Sequence, residues 1–274
     1  MGRKFAGHAF PGSFFILFGT WWTFAVWRNY IRSRQNKQPY VCHCTYAVPC
    51  LPRKISVEGI VKVISSCACI AVEYHVAFGR GPRVLAESVT HQSMILFFLL
   101  NGVVDLMYNA GFPFPPNTDY VVLLLACASE GQLFHSHLVG SPELNVIVHT
   151  LLVYSMVAMV VCIAAEMCQP RSVLLSLGRA YFCLLHGTWL WQIAFILHNP
   201  LPGYKPWDVN SHKDSMLAAS IFSWHMMVLV VYVGTLGAVA WAVNRTCGSR
   251  CEDIASEDAE EDGALCEALI RRGM

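Results

Sequence analysis

Charged residues are scarce in this sequence: Lys, Arg, Asp and Glu together make up only 14% of its 274 residues. A soluble domain of this size carries about 25%, so the composition excludes an ordinary water-soluble globule. The chain also lacks the clustered positive charge of a nucleic-acid-binding protein, since its net charge is only +1. Twelve cysteines, 19 glycines and 13 prolines are too few for a disulfide scaffold or a collagen.

Apolar residues dominate instead, at 55% of the chain with a mean hydropathy of +0.45. A bilayer core needs about 20 mostly apolar residues per helix, and seven stretches meet that length. They cover residues 9–27, 55–78, 88–109, 119–139, 144–167, 172–198 and 215–243. The sequence therefore predicts an all-α, seven-helix transmembrane bundle in an endomembrane or the plasma membrane. Its predicted partner is the lipid bilayer, and no nucleic-acid partner is expected.

Loop composition predicts how these helices are arranged. The connection Gly140-Ser141-Pro142 is so short that the fourth and fifth helices must form an antiparallel hairpin. Lys and Arg number nine on the side of the first loop and six on the side of the N-terminus, and positively charged loops stay in the cytosol. We therefore expect the N-terminus outside and the C-terminal tail in the cytosol.

Residues 244–274 differ from the membrane domain, residues 1–243, in composition. They hold eight of the 18 acidic residues, which predicts a solvated, disordered cytosolic tail that a partner recognises. Cys247 and Cys251 follow the last span directly, where thiols suit S-palmitoylation.

Several ionisable residues lie inside the predicted spans, where each costs about 2.5–3.5 kcal/mol on insertion scales. The group nearest the cytosolic side comprises Glu58, Lys62, Asp105, Glu166 and Arg179. Glu58 and Lys62 have the four-residue spacing of an intrahelical ion pair. The group predicts a buried polar network with two readings: it specifies which helix faces pack together, or it forms a proton or ion path.

Most of the 11 histidines fall in the outer half of the predicted bundle. Imidazoles and a carboxylate from several helices suit zinc or another transition metal. The hypothetical metal ligands are His91, Glu130, His137, His149 and His225. The alternative is that each histidine is hydrogen-bonded separately. Zinc is thus the one cofactor that the sequence suggests. The sequence identifies no catalytic residue.

The first loop and the early tryptophans carry weaker signals. Cys42-His43-Cys44 and Cys50 lack the paired C-x2-C spacing of a zinc ribbon, so free thiols are expected there. Trp21, Trp22 and Trp27 are expected to be lipid-facing or interfacial anchors.

Several motifs resemble the transmembrane protein 45 family, and within it the transmembrane epididymal protein branch. They are Gly7-His8-Ala9-Phe10-Pro11-Gly12-Ser13-Phe14-Phe15, Phe18-Gly19-Thr20-Trp21-Trp22 and Gly187-Thr188-Trp189-Leu190-Trp191-Gln192-Ile193, with shorter matches at Glu58-Gly59, Val104-Asp105, Trp207-Asp208 and Trp224-His225. The resemblance covers residues 1–243. It implies a seven-helix membrane protein with its N-terminus outside and no well-assigned molecular activity. His186 and Val139 depart from the family pattern, which has Gln and His there.

Three functions remain open on the sequence. The first is a non-enzymatic membrane protein with a buried polar and histidine core that is structural or metal-bound. The second is a metal-dependent intramembrane lipid hydrolase, in which histidines and an acidic residue would hold a zinc-bound hydroxide. The third is a transporter or channel, for which the sequence shows no broken helix pair or repeat.

Overall fold

The computed structural model describes residues 2–48, 51, 55–78, 82–136, 138, 140–203 and 205–272. Side chains are described within these ranges from Phe5 to Thr246, apart from residues 76–77, 82–84 and 86–87. Seven helices occupy the described residues: α1 Gly2–Gln35, α2 Val57–Ala77, α3 Pro82–Asn109, α4 Thr118–Ser136, α5 Glu143–Cys168, α6 Val173–His198 and α7 His212–Arg272. The prediction of an all-α chain with seven helices is confirmed.

Five of these helices are long and apolar enough to cross a membrane. They are the segments Phe5–Gln35, Ser88–Asn109, Glu143–Cys168, Val173–His198 and His212–Thr246. The other two carry more charge for their length: α2 contains Glu58, Lys62 and Glu73, and α4 has 19 residues that include Asp119 and Glu130. Five of the seven predicted spans thus have the composition of membrane helices.

Helix α6 lies at the centre of the bundle, and α1, α5 and α7 all pack against it. Of an apolar stretch of 18 residues in α6, 61% is buried, which is the largest share among the five candidate spans. The backbones of α1 and α6 approach closely where Gly12 faces Gly187. In the short connection between α4 and α5, Gly140 has φ of +78°, a left-handed conformation that glycine adopts without strain.

The first loop folds back into the bundle, which the sequence analysis did not predict. In residues 40–46, here called the loop insert, every second side chain is buried: Tyr40, Cys42, Cys44 and Tyr46. The intervening Val41 and His43 are exposed. This two-residue period is that of an extended chain with one face covered. The Cys42 amide donates to the Pro170 carbonyl at 2.8 Å, which attaches the insert to the turn between α5 and α6.

The ends of the chain extend the outer helices. Helix α1 runs well past the predicted span of residues 9–27, and α7 continues in helical geometry to Arg272. A polar helix draws little stability from propensity alone, so a helical backbone there does not test the disorder predicted for residues 244–274, and that stays a prediction. The side chains of Cys247 and Cys251 lie outside the described part, and their palmitoylation also stays a prediction.

Candidate functional site

A layer of buried charges crosses the bundle at the end where the first loop inserts. We call Glu58, Lys62, Asp105, Glu166 and Arg179 the inner charge layer; all five are buried. Lys62 on α2 pairs with Asp105 on α3 at 2.7 Å, and its ammonium also donates to the Asn101 side chain at 2.7 Å. Because each partner comes from a different helix, this ion pair fixes how α2 packs on α3.

The second ion pair of this layer joins α5 to α6. The Arg179 Nε lies 2.9 Å from the Glu166 Oε2, and the Ser176 hydroxyl donates to the Glu166 Oε1 at 2.6 Å. The guanidinium is fully buried, and its Nη1 and Nη2 atoms donate to the loop insert, at the carbonyls of Cys44 (2.9 Å) and His43 (2.8 Å). The insert therefore completes the coordination of a charge that would be costly to bury alone.

Glu58 is held by hydrogen bonds from neutral groups. Its two oxygens accept from the indole N–H groups of Trp21 at 2.7 Å and Trp22 at 2.9 Å, and Oε1 also accepts from the Tyr46 amide at 2.8 Å. The four-residue spacing predicted a pair with Lys62, whereas the structure gives each residue partners from elsewhere in the fold. The prediction that Trp22 is a lipid-facing or interfacial anchor is wrong, because its ring is buried.

Trp22 links the two ion pairs. The Arg179 Cζ lies 4.5 Å from the centroid of the Trp22 ring, and the Lys62 Nζ lies 5.9 Å from it. Both are cation–π distances. The structure therefore places Glu58, Lys62 and Arg179 around one indole, and the two cations pair with Asp105 and Glu166. Tyr46 and the insert carbonyls are further partners that the sequence did not indicate.

Burial makes the Cys44 thiol less acidic than that of an ordinary cysteine. It lies in the loop insert, and desolvation raises its pKa well above the ordinary value. We expect Cys44 to resist maleimide at pH 8, where a free thiol is partly ionised and reacts. The test uses two variants that each retain one cysteine, Cys44 or the exposed Cys168. Cys168 should react within minutes, and Cys44 only after denaturation; equal rates in the folded protein would show that the insert is open.

A looser pair lies deeper in the bundle. Glu130 on α4 and His186 on α6, the middle pair, are both buried, with 3.5 Å between the Glu130 Oε1 and the His186 Nε2. The other oxygen, Glu130 Oε2, has no hydrogen-bond partner among the described residues. The His186 Nδ1 lies 3.0 Å from the Ser155 hydroxyl, which itself donates to the Leu152 carbonyl at 2.7 Å.

The Ser155 contacts fix the tautomer of His186. A hydroxyl has a single hydrogen, and in Ser155 it goes to the Leu152 carbonyl, so the hydroxyl oxygen accepts from His186 Nδ1–H. The Nε2 atom of the neutral ring then faces Glu130 with its lone pair, and it makes no hydrogen bond to a described residue. Ser155 is thus a positioning residue, since its hydrogen is occupied and its side chain is buried.

Two histidines meet at the opposite end of the bundle. The Nε2 atoms of His8 on α1 and His149 on α5 are 3.4 Å apart, and the two residues are called here the histidine pair. The His149 Nδ1 lies 2.9 Å from the Asn145 carbonyl. The rings of His8 and His198 are also adjacent, with 5.6 Å between their centroids.

The predicted metal ligands are distributed over separate places. Glu130 faces His186, His149 faces His8, His91 lies 3.4 Å from Glu73, and the His225 ring packs on Trp189. His137 lies outside the described residues. Within the part of the chain that the structure describes, no three His, Cys, Asp or Glu residues are grouped so as to hold a metal ion. The structure therefore does not bring the four described members of the predicted set together.

Comparison with known proteins gives relatives but no activity. Residues 117–237 match a family described as a family of unknown function, DUF716. Transmembrane epididymal protein 1 of Homo sapiens is 30% identical over 139 residues, which are 50% of each chain. Transmembrane epididymal protein 1 of Rattus norvegicus is 25% identical over 239 residues, and transmembrane epididymal protein 1A of Mus musculus is 25% identical over 238; each alignment covers 82% of this chain and 76% of the relative.

The match to the human protein spans only half of that protein's length. The resemblance that the sequence indicated is confirmed: the chain is similar to the transmembrane epididymal proteins, and its residues 117–237 match the DUF716 family of unknown function.

Proposed function

We propose that this chain is a seven-span membrane protein that moves protons through its helix bundle, as a proton channel or a proton-coupled transporter. The observation that carries the proposal is the middle pair. Glu130 and His186 are two titratable groups buried together at 3.5 Å, and one carboxyl oxygen has no hydrogen-bond partner among the described residues. Ionisable residues inside a membrane bundle mark proton relays more often than chance placement would give.

The contrast with the inner charge layer supports this assignment. The two ion pairs of that layer are short, at 2.7 and 2.9 Å, and their cations are held by several further acceptors. Such pairs fix how the helices pack together. The middle pair can hold one proton in two arrangements of equal net charge, on the carboxyl group or on the imidazole, and its 3.5 Å contact is longer than those of the two ion pairs.

The polar groups succeed one another along the bundle. His186 is seven residues from Arg179 on α6, which is about 10 Å of helix, and Ser155 is six residues from His149 on α5, about 9 Å. The buried thiols of Cys127 and Cys183 lie between the middle pair and the inner charge layer, within electrostatic range of Glu130, Lys62 and Arg179. A proton path would need water to bridge these intervals.

We propose that all seven helices cross the membrane, including α2 and α4. The charges that lower the hydropathy of α2 and α4 include Glu58, Lys62 and Glu130, and these are directed into the bundle and buried. Lipid therefore meets mainly the apolar faces of both helices. We propose the N-terminus outside, as the loop charges favour; maleimide that cannot cross membranes should then reach the single Cys168 only after cells are permeabilised.

The test is proton flux into liposomes that contain the purified protein and a pH-sensitive dye, driven by a potassium diffusion potential. We expect Glu130→Gln to reduce the flux at least about tenfold, because an amide cannot exchange the proton. Glu143→Gln, at an exposed carboxylate, is the matched control and should retain the wild-type rate. Size-exclusion profiles and melting temperatures confirm that both variants are folded.

Two results would contradict the proposal. Folded wild-type protein that gives no more flux than empty liposomes would leave a non-enzymatic protein with a structural polar core as the first alternative. An unchanged flux in Glu130→Gln would show that protons pass elsewhere. The lipid hydrolase prediction has its own readout, which is release of fatty acid from lipid by the purified protein.

A further inference from the structure

We propose that His8 and His149 form a binding site for a divalent transition-metal ion, with zinc as the expected occupant. The two Nε2 atoms approach to 3.4 Å at the end of the bundle opposite the loop insert. They come from α1 and α5, which are 141 residues apart in sequence. The site is separate from the middle pair and does not depend on proton transport.

The contacts of His149 prepare its Nε2 atom to bind a metal. A carbonyl oxygen can only accept a hydrogen bond, so the 2.9 Å contact between Nδ1 and the Asn145 carbonyl places the ring hydrogen on Nδ1. The Nε2 atom of the neutral ring then carries the lone pair. Metal-binding histidines commonly donate their second ring N–H to a backbone carbonyl in this way, which fixes both tautomer and ring orientation.

The distance between the two nitrogens fits a shared ion. Zinc binds imidazole nitrogen at about 2.0–2.1 Å in tetrahedral geometry, so two histidine ligands of one ion lie about 3.3–3.4 Å apart. Two neutral imidazoles that meet through Nε2 can otherwise share one proton. Imidazole ligands suit zinc, copper and nickel better than calcium or magnesium, which prefer oxygen.

The proposed site has two protein ligands in place, His8 and His149. The described residues contain no ready group of three ligands, so we assign the remaining positions to water or to His198. The His198 ring lies beside that of His8, with 5.6 Å between centroids. The ring of Phe134, 6.2 Å from that of His149, covers one side of the site.

The test is zinc binding to the purified chain, carrying no polyhistidine tag, after treatment with a chelator. We expect about one zinc per chain by mass spectrometry, and a cobalt-substituted protein with the visible absorption of a tetrahedral nitrogen site. His8→Ala and His149→Ala should each weaken zinc binding at least about tenfold. His212→Ala is the control, since His212 is exposed and contacts Glu143 instead of the histidine pair, and this variant should bind zinc as the wild type does.

Folding is checked separately, because His149 is buried. His149→Gln retains a polar side chain at this position and should give a folded protein that binds zinc as weakly as His149→Ala. The proposal is overturned if folded wild-type protein binds no zinc above background, or if both histidine variants bind it as tightly as His212→Ala.

Discussion

Replacement of Arg179 by methionine will leave the protein unstable in detergent and largely absent from the membrane. The side chain is fully buried and holds Glu166 on α5 together with the carbonyls of His43 and Cys44 in the loop insert. Removal of one partner from a buried ion pair costs about 3–5 kcal/mol, because the other charge is left without compensation. Fluorescence-detected size exclusion after a temperature series would measure the loss of folded protein.

Arg171→Met provides the matched control for this prediction. Arg171 is exposed in the turn between α5 and α6, so the same change of side chain should leave the melting temperature close to that of the wild type. The double variant Arg179→Met with Glu166→Leu should recover part of the stability, since it removes both charges. A melting temperature for Arg179→Met within about two degrees of the wild type would show that the ion pair contributes little to stability.

The sequence predicted the members of the inner charge layer because of one physical rule. A charge inside a bilayer is costly and turns inward towards a partner, so Lys62, Asp105 and Arg179 could be assigned to a buried network without coordinates. Their individual partners could not be assigned, since helix spacing alone suggested Glu58 for Lys62. The partner on α3 depends on how two helices rotate against each other, which spacing within one helix does not contain.

The burial pattern of the loop insert is visible in the sequence as a two-residue period. From Tyr40 to Tyr46 every second residue is tyrosine or cysteine, and this is the period of an extended segment with one buried face. The cysteine spacing alone predicted free thiols and did not indicate that the segment is buried. Trp22 was misassigned for a related reason: aromatic residues near a span end are on average interfacial, but this one donates its N–H to a buried carboxylate.

The position of a histidine along its helix predicts its depth in the bundle but not its neighbours on other helices. Position along a helix predicted that His149 lies near one end of the bundle, and in the structure it meets His8 at the end opposite the loop insert. Depth did not reveal which residues share a face, so Glu130 was grouped with His137 and His149, whereas it meets His186 on α6. Lateral neighbours follow from the order in which helices pack, which the sequence pattern leaves open.

The close approach of α1 and α6 should make Gly187 intolerant of any side chain. A Cβ at this position would lie 2.7 Å from the Gly12 carbonyl oxygen and 2.8 Å from the Ile16 amide nitrogen. Both are backbone atoms and cannot move without shifting α1. Small residues are what allow membrane helices to approach this closely, so we expect Gly187→Val to separate the two helices and cost about 3 kcal/mol or more.

Gly234→Val on α7 is the control, because a Cβ there has nothing within 4 Å. In an exposed position the exchange removes the flexibility of glycine and should leave stability unchanged or slightly higher. Gly12→Val should resemble Gly187→Val, since its Cβ would lie 2.8 Å from the Gly187 carbonyl oxygen. Melting curves of the three variants in one detergent would compare their stabilities. Equal stability of Gly187→Val and Gly234→Val would mean that α1 and α6 do not pack through these glycines.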